Sequence, residues 1–411
     1  MIRKVKSEEL RTKNFGLRWK RKFFYSALLV LSSSLNCAFA QSDTTKHAHK
    51  FTVKGYVKYL EEVSFAGSAT QLETVDLLHN RLNFRYQPDS NFNFRLEVRN
   101  RIYYGELVQN YPNFAALETR NNETIDLSKN WVNQNAVLFN TTIDRASAEY
   151  LKGKWDITLG VQRINWGIST VWTPNDIFNT FNYFDFDYEE RPGTDAVRIQ
   201  YNTAPSSSFD LAIASPQTPE GGARGTGALM YHFNKWNYDF QAFSGVYHED
   251  CTAGIGWAGN IKDAGFKGEV SYFTPYQHFS DSNAIAASVS FDYGFKDGIY
   301  ILFSGLYNSS GKDTIPNIAE LTTESLSAKN IFPFKYTLFA EISYSFTPIL
   351  KASLGGMYSP SGNSVIALPT VTYSISDNWA LDLIAQSFFS QQNGGYHPLG
   401  NGVYMRIKWG F

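Results

Sequence analysis

The sequence predicts an all-β fold: a transmembrane antiparallel β-barrel of about 18 strands, with 16 as the alternative. Short turns close its periplasmic end and long loops its extracellular end. Three observations predict it. From residue 51 onward, apolar residues recur at every second position in segment after segment. The connections between these segments alternate short and long along the chain. After residue 40 no run approaches the roughly 18 apolar residues that a membrane helix needs, although the chain opens with an export signal.

That signal occupies residues 1–40. Arg18, Lys20, Arg21 and Lys22 precede the apolar run Phe23–Leu31, and Ala38-Phe39-Ala40 supplies an A-x-A cleavage site. Cys37 would be lost with the leader, because Asn36 before it suits lipoprotein processing poorly. The mature chain then keeps one cysteine, Cys251, and no internal disulfide. The leader carries nine Lys/Arg and two Glu, so its removal takes the formal net charge from −1 to −8, which gives no reason to expect nucleic acid as a partner. Residues 41–50, QSDTTKHAHK, read as a polar linker. Residues 51–411 read as the barrel.

The first strand, FTVKGYVKYL, sets Phe51, Val53, Val57 and Tyr59 on one face. RLNFRYQPDSNFNFRLEVR follows as a hairpin about QPDSN. Further tight turns are expected at LKGKW, NTAPSS, FNKWN, IKDAG, FKDG, TPI and SDN, where Gly, Pro, Asn, Asp, Ser or Lys cluster. Strands of about 9–11 residues cross a bilayer when tilted. The long connections are expected at 61–74, 105–132, 165–193, 214–226, 275–283, 309–332 and 390–400. A soluble sandwich has no reason to sort its loops by parity. Aromatic residues make up 16% of the chain, and their placement uses that excess: Tyr86 and Phe92, Tyr150 and Trp155, Phe233, Trp236 and Tyr238, and Phe295 and Tyr300 all flank short turns. Rings at headgroup depth form a girdle.

The chain ends NGVYMRIKWGF. Val403, Met405, Ile407, Trp409 and Phe411 alternate with Gly402, Tyr404, Arg406, Lys408 and Gly410. Lipid covers such an apolar stripe, and pairing of this strand with the first closes the sheet and leaves no edge. A terminal Phe on an amphipathic last strand is similar to the assembly signal of bacterial outer-membrane proteins. That resemblance implies a Gram-negative outer membrane as the location, with its lipid and the barrel-assembly machinery as partners read through Phe411. GVQRINWG…WTPND…ERPG, between residues 160 and 193, resembles stretches of alginate-export-type porins. No substrate is carried over from it.

With Val, Leu and Phe turned to lipid, the alternate residues face the lumen. They are Lys54 and Lys58, then Arg81 and Arg85, then Arg95, Glu97, Arg99 and Arg101, and finally Arg406 and Lys408. Closure makes these four strands one basic arc of nine cations and one acid. The far wall is expected to carry Asp156, Asp210, Glu269, Asp292, Glu341 and Asp382. The connection 165–193 holds Asp176, Asp185, Asp187, Glu189 and Glu190, with eight large rings between Trp166 and Tyr188. It is too apolar for a disordered loop. It is expected to fold into the lumen and set acids opposite the arc as a constriction; the alternative is that the arginines brace the wall through Glu97, Glu149 and loop acids, and that the loop caps the outside.

Other motifs carry less. Gly254, Gly256 and Gly259 spell G-x-G-x-x-G inside an alternating strand, where they read as small wall residues. His248–Cys251 are consecutive and cannot all face one ion. The seven histidines are scattered singly and form no visible catalytic set. The expected function is a channel for passive diffusion of small polar solutes, anions or saccharides, with no metal, no cofactor and no catalytic residue. The rivals are a barrel hydrolase acting on lipid or peptide, and a non-conducting surface protein that binds polysaccharide. A homo-oligomer is an open alternative that no sequence feature decides.

Overall fold

The computed structural model describes residues 50–65, 72–119, 125–179, 187, 193–215, 225–276, 283–313, 326–392 and 394–411. The leader, and the linker up to His49, lie outside the described residues. Alternation produces strands wherever it was seen. They are β1 (Phe51–Phe65), β2 (Leu72–Tyr86), β3 (Phe92–Gly105), β4 (Ser128–Gln134), β5 (Val137–Lys152) and β6 (Trp155–Gln162). There follow β7 (Thr194–Ala204), β8 (Ser207–Ala214), β9 (Thr226–Lys235), β10 (Tyr238–Tyr247), β11 (Asp250–Ile261), β12 (Ala264–Pro275) and β13 (Ala284–Gly294). The last are β14 (Ile299–Asn308), β15 (Tyr336–Thr347), β16 (Leu350–Ser359), β17 (Ser364–Ser376), β18 (Trp379–Gln392) and β19 (Gly395–Gly410). Two short helices, α1 (Glu106–Asn110) and α2 (Phe114–Glu118), stand between β3 and β4.

The sheet is antiparallel and closed. β19 pairs with β1 from Tyr56↔Gly410 to Phe65↔Asn401, the closure expected of the terminal strands. Eighteen strands complete the wall. β4 is additional: it pairs with Val137–Thr142 of β5, whereas β6 takes Ala146–Lys152 on the same edge. β4 therefore sits above the short β6, at the point where the chain leaves the wall after Gln162.

All eight short turns fall where the turn residues placed them. In QPDSN the Asp89 carboxylate accepts the N–H groups of Asn91 (2.8 Å) and Phe92 (3.0 Å), an Asx-type turn. Three expected loops are corrected. Of residues 61–74, 61–65 and 72–74 are strand, the paired ends of β1 and β2. Residues 390–392 and 395–400 are strand: β18 reaches Gln392, β19 begins at Gly395, and Gly394 turns at φ +85. Residues 105–132 hold both helices and most of β4. Many strands also exceed the expected 9–11 residues; β5 and β19 have 16.

Burial is inverted relative to a soluble protein. Phe303, Ile255 and Leu338 are more than half exposed, at 56%, 55% and 55%, while Lys58 and Arg81 are at 0% and 1%. One side of every strand meets lipid, and the other faces a filled interior. Three apolar clusters lie inside: one about Trp172, Phe332, Phe334 and Phe339, one about Ile164, Trp166, Phe243 and Phe273, and one about Leu77, Tyr103, Val108 and Leu138 beneath α1.

Candidate functional site

The chain leaves β6 after Gln162 and rejoins the wall at Thr194, and its first part lines the inner face of β8–β14. Two rings drive it inward, Trp166 at 1% and Trp172 at 3% exposure. The Trp166 indole N–H donates to Asp210 Oδ2 on β8 (3.0 Å), and Gln241 Nε2 on β10 donates to the Trp166 carbonyl (2.6 Å). Glu269 on β12 is the principal anchor. Its Oε1 accepts the backbone N–H groups of Ile168 and Ser169, and its Oε2 accepts that of Asn175 (2.8 Å). Ser271 and Ser288 donate to the carbonyls of Pro174 and Trp172, each at 2.9 Å. Gly254 and Gly256 make room here. A Cβ at Gly254 would stand 2.8 Å from Asn175 Oδ1, and one at Gly256 would stand 3.0 Å from Asn175 Nδ2.

A second segment shares this half of the lumen. Asn308 donates to the Phe332 carbonyl (2.6 Å), Lys329 pairs with Asp250 (2.9 Å), and the Phe332 and Phe339 rings stand edge-on to Trp172 at 5.9 and 6.4 Å.

Asp187 belongs to the same connection as Trp166, yet it lies against β1 and β2. Its Oδ1 pairs with Lys58 Nζ (3.0 Å) and with His79 Nδ1 (2.8 Å), and its carbonyl accepts from Lys58. Burial acts to raise this carboxyl, but His79, Lys58 and Arg101 outweigh it and hold the group well below the usual carboxylate range. His79 on β2 and Glu269 on β12 are nine strands apart in an eighteen-strand ring, hence on opposite walls. The described residues of one connection, the strap, are fastened to both.

Around the Asp187 anchor lies a buried ion network. Arg81 bridges Asp144 and Glu97, Arg99 reaches Asp144 (3.3 Å), and Arg145 reaches Glu97 (3.2 Å). Arg101 donates to Tyr103 Oη (2.8 Å), whose hydroxyl donates to Glu118 of α2 (2.8 Å). Nearer the short turns, Arg95 pairs with Glu149 (3.2 Å) and Arg85 donates to Asn93 (2.8 Å). On β19, Arg406 pairs with Asp382 (2.9 Å), and Lys408 lies over the Tyr56 ring at 4.6 Å.

All nine basic residues therefore stand on the inward parity of β1, β2, β3 and β19, in two layers. Lys58, Arg81, Arg99 and Arg101 are buried in the network, so they brace strap, helix and wall rather than face open water. Lys54, Arg85 and Arg95 are exposed toward the short-turn end, and Arg406 and Lys408 are half-buried. Of the expected acids, Asp187 meets the arc. Asp176 is buried at 1%, within the stretch of the strap that runs along the opposite wall. Asp185, Glu189 and Glu190 lie outside the described residues. Asp382, expected on the far wall, adjoins the arc because β18 is the neighbour of β19.

Sequence reasoning missed His79, Asp144, Arg145 and Glu118. The parity that turned Arg81 and Arg85 inward also turns His79 inward. Asp144 and Arg145 are adjacent yet both face inward, because the register shifts between Glu97 and Val98.

A closed eighteen-strand antiparallel barrel, apolar outside and ionic within, with a long connection fastened across its lumen, has the architecture of a porin-type barrel. No protein-family model and no curated protein sequence matches the chain. Solved structures share its fold. Pseudomonas aeruginosa OccK5 (OpdH) aligns over 88% of this chain and 98% of its own, with 7% identity and a TM-score of 0.57. Acinetobacter baumannii OccAB4 aligns over 88% and 98%, at 9% and 0.56. Pseudomonas aeruginosa OpdK, whose structure was solved with vanillate, aligns over 87% and 98%, at 8% and 0.53.

Proposed function

We propose that this chain is an outer-membrane channel for small polar solutes, selective for anions, and that the strap between β6 and β7 is its constriction. The observation that carries the reading is the pair of anchors on opposite walls, Glu269 on β12 and Asp187 on β1–β2. A segment held at both ends divides the lumen into narrower passages and sets a size limit. Asp187 is spent on Lys58 and His79, while Lys54, Arg85 and Arg95 remain exposed with Glu149 among them. A passage with that balance concentrates anions. Vanillate in OpdK is a small aromatic carboxylate, and a solute of that class fits the same charge. A phosphate group or an acidic sugar would fit on the same ground.

The hydrolase reading lacks a usable centre among the described residues. His79 and Asp187 form a carboxylate–imidazole pair, but His79 is at 0% exposure with Lys58 beside it, and no substrate can reach it.

Planar-bilayer recording in a potassium chloride gradient tests the proposal. The expected result is discrete channels whose reversal potential reports anion preference, reduced in Arg85→Ala with Arg95→Ala. Absence of conductance in a folded sample overturns the channel, and cation preference overturns the role of the arc.

A further inference from the structure

One tight turn carries a ring that its backbone disfavours. β9 and β10 are joined by Trp236 and Asn237, both with positive φ, +57 and +61. Lys235 pairs with Tyr238 across it, so this is a two-residue hairpin turn of the type that favours Asn-Gly or Gly-Gly. A bulky residue at the first position is strained. Trp236 is also 75% exposed, the highest value among the large apolar residues of the described chain. Its contacts are the Phe240 ring, edge-on at 6.5 Å, and the Lys235 ammonium, 4.5 Å over its face. Little inside the fold offsets the strain, which points to a contact outside it.

Trp236 borders an open groove on the outer wall, about 400 Å³ in volume and lined by Trp236, Tyr238, Phe240, Trp257 and Phe266. The register of the sheet makes the recess. Phe240, Trp257 and Gly268 share one rung across β10, β11 and β12, and on the next rung toward the turns Gly259 lies opposite Phe266. The Trp257 ring lies over Gly268, where a Cβ would stand 2.2 Å from it. The Tyr238 ring lies over Gly259, where a Cβ would stand 2.4 Å from it. Both rings are thus laid along the wall, and the Tyr238 hydroxyl is tied to the Asn260 carbonyl (2.9 Å). Away from the turns the recess continues as a shallow trough. Its floor is Ala242 and Ser244 on β10 and Ala253 on β11, and Leu229, Ile255 and Tyr272 flank it.

Depth and charge identify the occupant. A tilted strand climbs about 2.5 Å per residue along the barrel axis, so the path from Tyr238 to Ser244 runs from the level of the short turns about 15 Å into the hydrocarbon. An occupant is therefore polar at one end and aliphatic along the rest. At the turn end stand Lys235, with its ammonium over Trp236, and Lys262 of the β11–β12 turn, with Asp263 beside it. A phosphodiester is complementary to the two ammonium groups. A hydrocarbon chain fits a trough floored by small residues and flanked by apolar ones. A glycerophospholipid of the periplasmic leaflet carries both at the required separation in depth.

We propose that this groove seats one phospholipid of the periplasmic leaflet, its phosphate on Lys235 and Lys262 and one acyl chain along Ala242, Ser244 and Ala253. The seat requires the lipid-facing wall and is independent of what the lumen conducts. Native mass spectrometry of the full mature chain, released from detergent micelles doped with dioleoyl phosphatidylglycerol, is expected to show one lipid retained per protomer after the others are stripped. Trp236→Asn is expected to lose that lipid. Asn suits the turn, so this variant keeps or raises the melting temperature, whereas loss of a merely structural ring would lower it. Lys235→Gln with Lys262→Gln is expected to weaken retention about tenfold. A second variant leaves the turn intact: Ala253→Phe blocks the trough from the hydrocarbon side and should displace the lipid as well. A wild-type protein that retains no lipid overturns the proposal, as does retention unchanged in Trp236→Asn or in Ala253→Phe. Equal retention of dioleoylglycerol, which lacks the phosphate, overturns the role of the lysines and with it the phospholipid seat.

Discussion

Two carboxylates hold the strap, and they do so differently. Glu269 accepts three backbone N–H groups and has no cation among its hydrogen-bond partners, so it fixes the path of the chain rather than its charge. Asp187 is held by Lys58 and His79, and its grip depends on ionisation. Its pKa lies below the value of about 3.9 for a free aspartate. A depressed folded value contributes stability that is full above the unfolded pKa and fades as pH falls through the folded one. The Asp187 anchor is therefore intact at every pH above about 4. Open-channel current and its noise are expected to stay flat from pH 7 to pH 5, as far as this anchor controls them. In Asp187→Asn the noise should already be raised at pH 7, because a neutral amide withdraws the Asp187 charge from buried Lys58. Recordings in which lowering pH to 5 reproduces the Asn phenotype would remove Asp187 as the latch.

Elements were legible in the sequence wherever lipid imposed a pattern. The short turns and the strands beside them follow from apolar alternation and turn chemistry, which is why hairpins such as β2–β3 and β11–β12 were placed to within a few residues. Legibility failed beyond the bilayer. The stretch SQQNGGYHPLG looks like a loop because its strands overhang the membrane, where no hydrocarbon demands an apolar face. SKNWVNQ of β4 was hidden for the same reason. Within the site, alternation gave all nine cations of the arc their inward orientation but could not reveal which were buried. Burial comes from α1, α2 and the strap, which pack against the inner face of the wall and are not part of its alternating strands. The glycines of β11 show how the wall receives the strap. They were read as small wall residues, and Gly254 and Gly256 are small because the Phe243 ring and the Asn175 and Gln241 side chains occupy the space above them. Gly256→Val would drive its methyl groups into Asn175 and Gln241, an overpacking that costs about 1–3 kcal/mol. The expected outcome is a lower melting temperature in detergent together with larger, less uniform channel currents. Unchanged currents with a lowered melting temperature would mean that Asn175 does not position the constriction.

At the scale of the molecule, wall and filling are separate structures. The wall closes through β19 and β1, and every one of its eighteen strands is paired on both edges without any help from residues 163–193. Among its described residues the strap adds no strand. It contributes two buried tryptophans, a set of hydrogen bonds to inward Asp, Glu, Gln and Ser side chains, and the Asp187 anchor. Replacing the stretch from Asn165 to Asp187 with a short glycine–serine link should therefore leave a barrel that still assembles and still migrates as a compact, heat-modifiable band in detergent gels. Its stability should fall, because Glu269 would lose the backbone N–H groups it accepts, Asp210 would keep Arg198 but lose the Trp166 indole, and Lys58 would lose Asp187, although water entering the widened channel would hydrate them and limit the loss. Conductance should rise several-fold, and discrimination between small and large anions should weaken, since the remaining filter is the exposed basic layer of Lys54, Arg85 and Arg95. Anion preference itself should persist. If the deletion left conductance at its original value, the narrowest point of the channel would have to lie elsewhere, and the segment about Phe332 and Lys329, which shares the same half of the lumen, would be the next to remove.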